Sequence, residues 1–256
     1  MRTANPALNE QAFNAPRVYG SDQAMSIHGT VNKSFILLAI LVAAASWIWS
    51  QFGQPGVAPS VEGVVTPRLN VSGYIMIGAI VGFIVALVTV FRKEWSPVTA
   101  PIYAGCEGLV LGAVSAMFEL RYPGIVIQAV ALTFGTLFCL LLAYKSGWVR
   151  PSENFKLGIV AATGAIALVY FVSLILGFFK INIPLFGSGP IGIIFSLIVV
   201  TIAALNLVLD FDFIEQGASQ GAPKYMEWYG AFGLMVTLVW LYLEILRLLA
   251  KMRDRD

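Results

Sequence analysis

Long apolar runs alternate with short polar segments along most of the chain. Windows of about 20 residues, the length that crosses a bilayer as an α-helix, select seven runs: Ser34–Phe52, Val71–Phe91, Val98–Phe118, Gly124–Tyr144, Leu157–Phe179, Ile191–Phe211 and Trp228–Leu249. In lipid the backbone polar groups must pair within the segment, so continuous runs of this length indicate helices rather than isolated strands. The pattern predicts an all-α, polytopic integral membrane protein with seven transmembrane helices.

The composition agrees with a membrane protein. Of the 256 residues, 58% are hydrophobic and 12% are charged, whereas soluble domains carry about 25% charged residues. The intervals between the runs, of which 53–70 is the longest, are too short for a soluble domain. We therefore divide the chain into a polar, disordered or interfacial N-terminal tail (1–33), a membrane domain (34–249) and a short basic C-terminal tail (250–256).

The placement of Lys and Arg predicts the orientation of the chain. With the N-terminus in the cytoplasm, the tail and alternate loops carry more Lys and Arg than the opposite loops, which agrees with the positive-inside rule. The basic C-terminal tail opposes this assignment, because it lies outside if all seven runs cross. The alternative is one re-entrant segment, with both ends in the cytoplasm. We favour seven crossings and a cytoplasmic N-terminus.

Missing residues exclude several classes of protein. The run Trp228–Leu249 contains no Lys for a retinal Schiff base. The only His, His28, lies in the tail, which excludes a membrane-embedded Ser-His protease and histidine-based zinc chemistry. No P-loop sequence occurs, and no basic patch outside the membrane flanks indicates a nucleic-acid partner. Cys106 and Cys139 lie inside runs without ligand spacing. We expect no enzymatic activity and no cofactor.

Charged residues inside the runs are the candidates for function, because a charge at the bilayer centre costs about 2.5–3.5 kcal/mol. Glu107 lies near the middle of the third run, between Gly105 and Gly108. It belongs either to an ion or proton path or to a structural hydrogen bond with a neighbouring helix. Glu244 and Arg247, spaced i,i+3, either pair with each other near the headgroups or contribute to such a path.

Asp210 closes the sixth run and is expected near the cytoplasmic face. Asn206 lies one turn deeper on the same face of the helix. Asp212 and Glu215, just beyond, have the pattern of solvated boundary residues. Four carboxylates at staggered depths would line a cation path if their helices are neighbours: Glu227, Asp210, Glu107 and Glu244.

The last two runs carry a family resemblance. The sequence Leu207-Val208-Leu209-Asp210-Phe211-Asp212-Phe213-Ile214, followed by Ala231-Phe232-Gly233-Leu234 and by Trp240 through Leu249, resembles the C-terminal signature of the Bax inhibitor-1 family. The closest likeness is to the bacterial branch with a longer polar N-terminal tail. With the seven runs and the small-residue-rich third run, the resemblance extends over roughly Lys33 to Lys251.

The resemblance implies a seven-helix protein of the bacterial inner or plasma membrane that leaks calcium in a pH-sensitive manner. In the family, an Asp at the end of the sixth helix pairs with an Asp in the seventh and closes the pore. Such a pair shares a proton and titrates as a unit. Asp210 matches the first position, but the second falls on Thr237, so the like-charge pair is missing. Asp210 then pairs with Glu107, Glu227 or Asp212, or forms hydrogen bonds with neutral partners. The candidate for the basic residue opposite is Arg92.

We therefore predict a pH-sensitive calcium (cation) leak channel gated by intramembrane carboxylates, with Asp210 as the principal cation-binding acid and Glu107 as the second. No EF-hand loop occurs, so a calcium site built on these two acids is sparse and weak. The expected partners are the lipid bilayer and calcium or protons, with the oligomeric state left open.

Two other functional classes remain. One is a non-conducting interaction module that regulates a membrane protease or a stress response by binding a membrane protein through its tail and loops. The other is a proton-coupled transporter, which is disfavoured because no inverted repeat and no matching pair of broken runs is visible.

Overall fold

The computed structural model describes residues 24–52, 71–179 and 184–255. This part of the chain forms α1 (Ile27–Phe52), α2 (Val71–Phe91), α3 (Ser96–Arg121), α4 (Ile125–Lys145), α5 (Glu153–Phe178), α6 (Pro190–Ser219) and α7 (Met226–Arg253). Short 3₁₀ helices, Lys93–Trp95 and Pro184–Phe186, precede α3 and α6. The described residues contain no β-strand, and the predicted all-α fold with seven helices is confirmed.

The helices have the length and composition of membrane spans. All except α2 are long and apolar enough to cross a bilayer, and α2 contains a shorter apolar helix, Ile75–Phe91. Their outer faces are apolar as well, with Phe83, Leu168 and Phe171 each more than 60% exposed. Because such faces are stable against lipid and not against water, the chain is a multi-pass membrane protein.

The helices extend beyond the predicted apolar runs. Helix α1 begins at Ile27, so the last part of the predicted tail is helical, while residues 1–23 and the predicted loop 53–70 lie outside the described residues. Helix α6 continues to Ser219, and α7 continues to Arg253, inside the predicted C-terminal tail. Hydropathy detects only the part of a helix that is apolar, and the polar turns that continue it carry no such signal.

The seven helices run alternately up and down the bundle. At one end Met25 N–H donates to the carbonyl of Ala222 at 2.6 Å, and Ser96 Oγ donates to the carbonyl of Tyr225 at 3.0 Å. At the other end Arg121 Nη2 lies 3.2 Å from Asp254 Oδ1. We call these the Ser26 end, where α1, α3 and α7 begin, and the Asp254 end, where α3 and α7 finish. Helix α1 therefore begins at the Ser26 end and α7 finishes at the Asp254 end, as seven crossings require.

Glycines allow α3 to pack closely against α1 and α2. A Cβ at Gly112 would lie 2.5 Å from the backbone oxygen of Ala45 on α1, and a Cβ at Gly78 would lie 2.7 Å from the Val110 side chain on α3. Real Cβ atoms do not approach other atoms this closely, so only glycine fits at either position. The Gly-x-x-x-Gly spacings at Gly78–Gly82 and Gly108–Gly112 thus serve packing within the chain.

Helix α7 lies at the centre of the bundle. It packs against α1, α3, α4 and α6, whereas α5 packs on the outside of α6. The ring of Phe232 meets that of Tyr103 on α3 edge to face, with 5.0 Å between centroids. Buried side chains line α7 from Met226 to Ala250. Polar groups on α7 are therefore enclosed by protein rather than by lipid.

Candidate functional site

Asp210 is fully buried inside the bundle. Its exposed fraction is 0%, and it lies about 13 Å along the α6 axis before Ser219, at 1.5 Å per residue. Asp210 closes the sixth apolar run but not the helix, because α6 continues for more than two turns beyond it. The carboxylate is thus located well within the protein.

Two other predicted site residues lie at the same level as Asp210. Thr237 and Glu107 are each about 16 Å from the first residues of α7 and α3, Met226 and Ser96, which both lie at the Ser26 end. Thr237 is buried, with 3% of its surface exposed, and its hydroxyl donates to the carbonyl of Gly233 at 3.4 Å. Counted at 1.5 Å per residue, Asp210, Thr237 and Glu107 therefore lie at a similar distance from the Ser26 end, roughly 13–17 Å, and in this sense share one level on three helices.

Glu107 is half-buried on α3, next to α2. A Cβ at Gly82 on α2 would lie 3.5 Å from its Oε1 atom. The side chain also forms a hydrogen bond with Tyr103, one turn earlier on α3, and the ring of Tyr103 contacts Phe232 on α7. The hydrogen bond expected to a neighbouring helix is made instead within α3, and Tyr103 connects Glu107 to the central helix.

Asn206 lies one turn from Asp210 on α6 and is buried. Its Nδ2 donates to Thr163 Oγ1 on α5 at 2.9 Å and to the carbonyl of Ile202 at 2.8 Å. These bonds direct the Asn206 amide donors toward α5 and its own helix. Asn206 therefore connects α6 to α5 one turn before Asp210.

Asp212 belongs to a buried ion pair. Lys156 Nζ on α5 lies 2.8 Å from Asp212 Oδ2 and 3.1 Å from Glu153 Oε1. Gln216 Nε2 also donates to Asp212, and nearby Tyr144 donates to Glu215. The interpretation of Asp212 as a solvated boundary residue is wrong, since only 17% of its side chain is exposed. Sequence reasoning missed Lys156 because it treated the residue as a loop charge.

Glu227 connects α7 to the start of α1. Its Oε1 accepts hydrogen bonds from Ser26 N–H at 3.0 Å and Ser26 Oγ at 2.9 Å, and it lies 3.0 Å from Lys224 Nζ. Lys33 Nζ contacts the other carboxylate oxygen. Glu227 is 0% exposed but lies in the first turn of α7, at the Ser26 end. Its surroundings are those of a structural ion-pair cluster.

Glu244 and Arg247 pair with each other near the Asp254 end. Arg247 Nη1 donates to Glu244 Oε1 at 2.9 Å. Tyr170 on α5, which sequence reasoning missed, donates to the same oxygen at 2.8 Å and accepts from Arg247 Nη1 at 2.9 Å. Glu244 is 2% exposed. The two alternatives for Glu244 and Arg247 were an ion pair and a place in a cation path. The geometry matches the ion pair, and Tyr170 from α5 joins it.

Lys251, on the last turns of α7, is a further buried charge that sequence reasoning did not single out. Its Nζ donates to the carbonyls of Leu185 and Gly192, at 3.2 and 3.1 Å, and to Ser196 Oγ at 2.9 Å. The ammonium therefore holds the turn before α6 against the end of α7. The sequence shows a basic tail here, and only the packing shows that this Lys points inward.

The predicted acids do not form one cluster. Within residues 24–52, 71–179 and 184–255, no three His, Cys, Asp or Glu side chains approach closely enough to share a metal ion. Arg92 is exposed at the end of α2, whereas Asp210 is buried about 13 Å inside the bundle. The structure thus brings Asp210, Glu107 and Thr237 to one level and leaves Glu227, Glu244 and Asp212 in separate ion pairs.

Comparison with known proteins gives a match over nearly the whole chain. A family model described as Bax inhibitor 1 like matches residues 5–254. No curated protein and no solved structure matches the chain. The matched region includes all seven helices and every candidate site residue discussed above.

Proposed function

We propose, from the premise that the chain belongs to the Bax inhibitor 1 like family, that it is a pH-sensitive calcium or cation leak channel gated by carboxylates inside the membrane. Asp210 is the principal cation-binding and gating acid, and Glu107 is the second. Calcium is the permeant ion rather than a resident cofactor.

The burial of Asp210 is the observation that carries the proposal. A carboxylate enclosed in a membrane protein must be protonated or offset by positive charge or hydrogen-bond donors, since an uncompensated charge there is costly. Simple helix packing does not require an acid at this position. A site that exchanges a proton for a cation supplies a reason for the acid, and the exchange makes flux depend on pH.

The level shared by Asp210, Thr237 and Glu107 supports a modified gate. The family resemblance places an acid where this chain has Thr237. A hydroxyl supplies an oxygen ligand without a second charge, so Asp210 binds a cation without the like-charge repulsion that makes two acids share one proton. We therefore expect Asp210 to titrate as a single site, with Glu107 modulating it from α3.

The orientation belongs to the same proposal. We place the N-terminus, and with it the Ser26 end, in the cytoplasm of a bacterial cell. Three of the basic residues that opposed this assignment are engaged within the protein: Arg247 pairs with Glu244, Lys251 is buried, and Arg253 Nη1 donates to the carbonyl of Pro123 at 2.8 Å. The assignment itself rests on the excess of Lys and Arg in the tail and alternate loops.

Calcium flux into proteoliposomes tests the proposal. Purified protein is compared with Asp210→Asn and Glu107→Gln between about pH 6 and pH 8. Glu94→Gln, at an exposed position of the Ser26 end, is the matched control for the loss of one carboxylate. We expect wild-type flux that changes with pH, loss of that dependence in Asp210→Asn and a smaller change in Glu107→Gln.

The outcome also separates the proposal from its alternative. Verified insertion with no flux above empty liposomes would contradict conduction and favour the interaction module. One contact makes the module concrete, because Met25 N–H donates to the carbonyl of Ala222 in the α6–α7 turn, so the chain enters α1 beside this turn. Removal of residues 1–23 would abolish the activity of such a module and leave a channel conducting.

A further inference from the structure

A long apolar groove lies between α1 and α4. Helix α1 packs on α3 and α7, and α4 packs on α7 and α6, so α7 forms the floor between them. The cavity has a volume of about 1390 Å³, larger than the roughly 300–1,000 Å³ typical of small-molecule pockets. Its lining extends from Ile27 to Trp49 on α1 and from Val126 to Lys145 on α4. At 1.5 Å per residue this is about 30 Å, close to the thickness of the hydrocarbon core.

The walls of the groove are apolar along most of this length. Leu38 and Val42 of α1 face Phe134 and Leu137 of α4, with Leu234 of α7 beneath them. Such a surface binds hydrocarbon and offers few partners to a polar ligand. The groove opens sideways between two membrane helices, so lipid reaches it from the bilayer.

The charged lining residues of the groove all lie at the Ser26 end: Lys145, Arg150, Asp212 and Glu215. The two acids are already engaged, Asp212 by Lys156 and Glu215 by Tyr144. Lys145 and Arg150 are exposed and form no ion pair with a described residue. The groove therefore combines an apolar trough with a net positive charge at one end, where Lys145 and Arg150 outnumber the one carboxylate, Glu215, that has no basic partner among the described residues.

We infer that this groove binds an anionic phospholipid, with its acyl chains between α1 and α4 and its phosphate headgroup on Lys145 and Arg150. The charge distribution fits a molecule with one anionic head and a hydrocarbon body. The guanidinium of Arg150 matches a phosphate with two parallel hydrogen bonds, and Lys145 adds a point charge.

The charge distribution disfavours a membrane-spanning helix as the occupant. A spanning helix has polar flanks at both of its ends, whereas the groove carries charge at one end only. Acyl chains, which are thinner and flexible, fit the groove.

Native mass spectrometry of the purified full chain in detergent tests the inference. Phosphatidylglycerol and phosphatidylcholine of the same acyl length are the probes, titrated onto delipidated protein. We expect phosphatidylglycerol to be retained more strongly, and the double variant Lys145→Gln/Arg150→Gln to weaken its binding about 10- to 30-fold, since each basic residue near a headgroup contributes roughly a three- to fivefold effect. Arg92→Gln/Lys93→Gln removes the same charge at the same end outside the groove and should leave binding unchanged.

A groove-filling variant separates a specific site from general surface charge. Leu38→Trp places a bulky ring in the groove and should reduce retention of both lipids, whereas Leu168→Trp, on an exposed face of α5, should not. Equal retention of the two lipids by wild type, or equal effects of the two Trp variants, would overturn the inference. A change of oligomeric mass in Leu38→Trp without loss of bound lipid would instead assign the groove to an interface between copies of the chain.

Discussion

Lys156 Nζ lies 2.8 Å from Asp212 Oδ2, and this contact connects the first turn of α5 to α6 beyond the level of Asp210. Only 5% of the Lys156 side chain is exposed, so the pair is largely screened from water by protein. Burial makes such a pair costly to break from one side, because the remaining charge loses its compensation.

We expect Asp212→Ala to destabilise the protein by about 2–4 kcal/mol. This loss is smaller than that expected on breaking a fully buried pair, because Lys156 keeps Glu153 as a partner. The double variant Lys156→Met/Asp212→Ala should be less destabilised than the single one, since it leaves no unpaired ammonium. Thermal unfolding in detergent measures both effects. Glu153→Gln is the control, because the Glu153 side chain is 74% exposed and exposed pairs contribute about 0–1 kcal/mol. A double variant as unstable as the sum of its parts would contradict the coupling.

The level shared by Asp210 and Thr237 gives a second prediction, which rests on the proposed function. Thr237→Asp restores an acid where the family resemblance places one, and two carboxylates at one level should share a proton and titrate as a pair. We expect the pH dependence of calcium flux in proteoliposomes to become steeper and to move toward neutral pH. Thr237→Ser keeps the hydroxyl and should leave the flux profile as in wild type. Identical profiles for Thr237→Asp and Thr237→Ser would show that the two positions do not interact.

Close packing of α1 on α3 gives a third prediction. Gly112→Val should destabilise the bundle by about 1–3 kcal/mol or more, because overpacking moves one helix away from the other and the added Cβ would meet the Ala45 backbone at 2.5 Å. Gly105→Val lies on the same helix, where a Cβ has no atom within 4 Å, and serves as the matched control. Thermal unfolding compares the stability of the two variants. Equal losses of stability would indicate that helix propensity, rather than the α1 contact, decides the effect.

The hydrogen bond from Tyr122 to Asp254 predicts a pH dependence of stability at the Asp254 end. That bond, with Ser188 and Arg121 nearby, holds the pKa of Asp254 below its ordinary value. A lowered folded-state pKa means that the contact stabilises the fold above the unfolded pKa of about 3.9 and that this contribution disappears as the pH falls through the folded value.

We therefore expect Asp254→Asn to lower the melting temperature at neutral pH and to approach wild type in acid. Tyr122→Phe removes the donor and should reproduce the effect, and melting curves from about pH 3 to pH 7 span the unfolded pKa. A constant difference across this range would contradict the assignment.

The apolar pattern by itself determined the fold class and the number of helices. Runs such as Ile191–Phe211 are long enough to span lipid, and lipid permits only structures that pair their own backbone groups. The motif around Asp210 likewise indicated the family that the match over residues 5–254 then confirmed. Both properties are local, because each depends on residues within a single run or motif.

Only the tertiary structure decided the depth and partners of the charged residues. Asp210 was predicted at a helix end and lies well inside α6, because polar turns that hydropathy does not detect extend the helix to Ser219. Lys156 and Tyr170 were missed because their partners, Asp212 and Glu244, come from distant parts of the chain. A sequence displays each charge separately, and whether it is solvated, paired or enclosed depends on which helices pack around it.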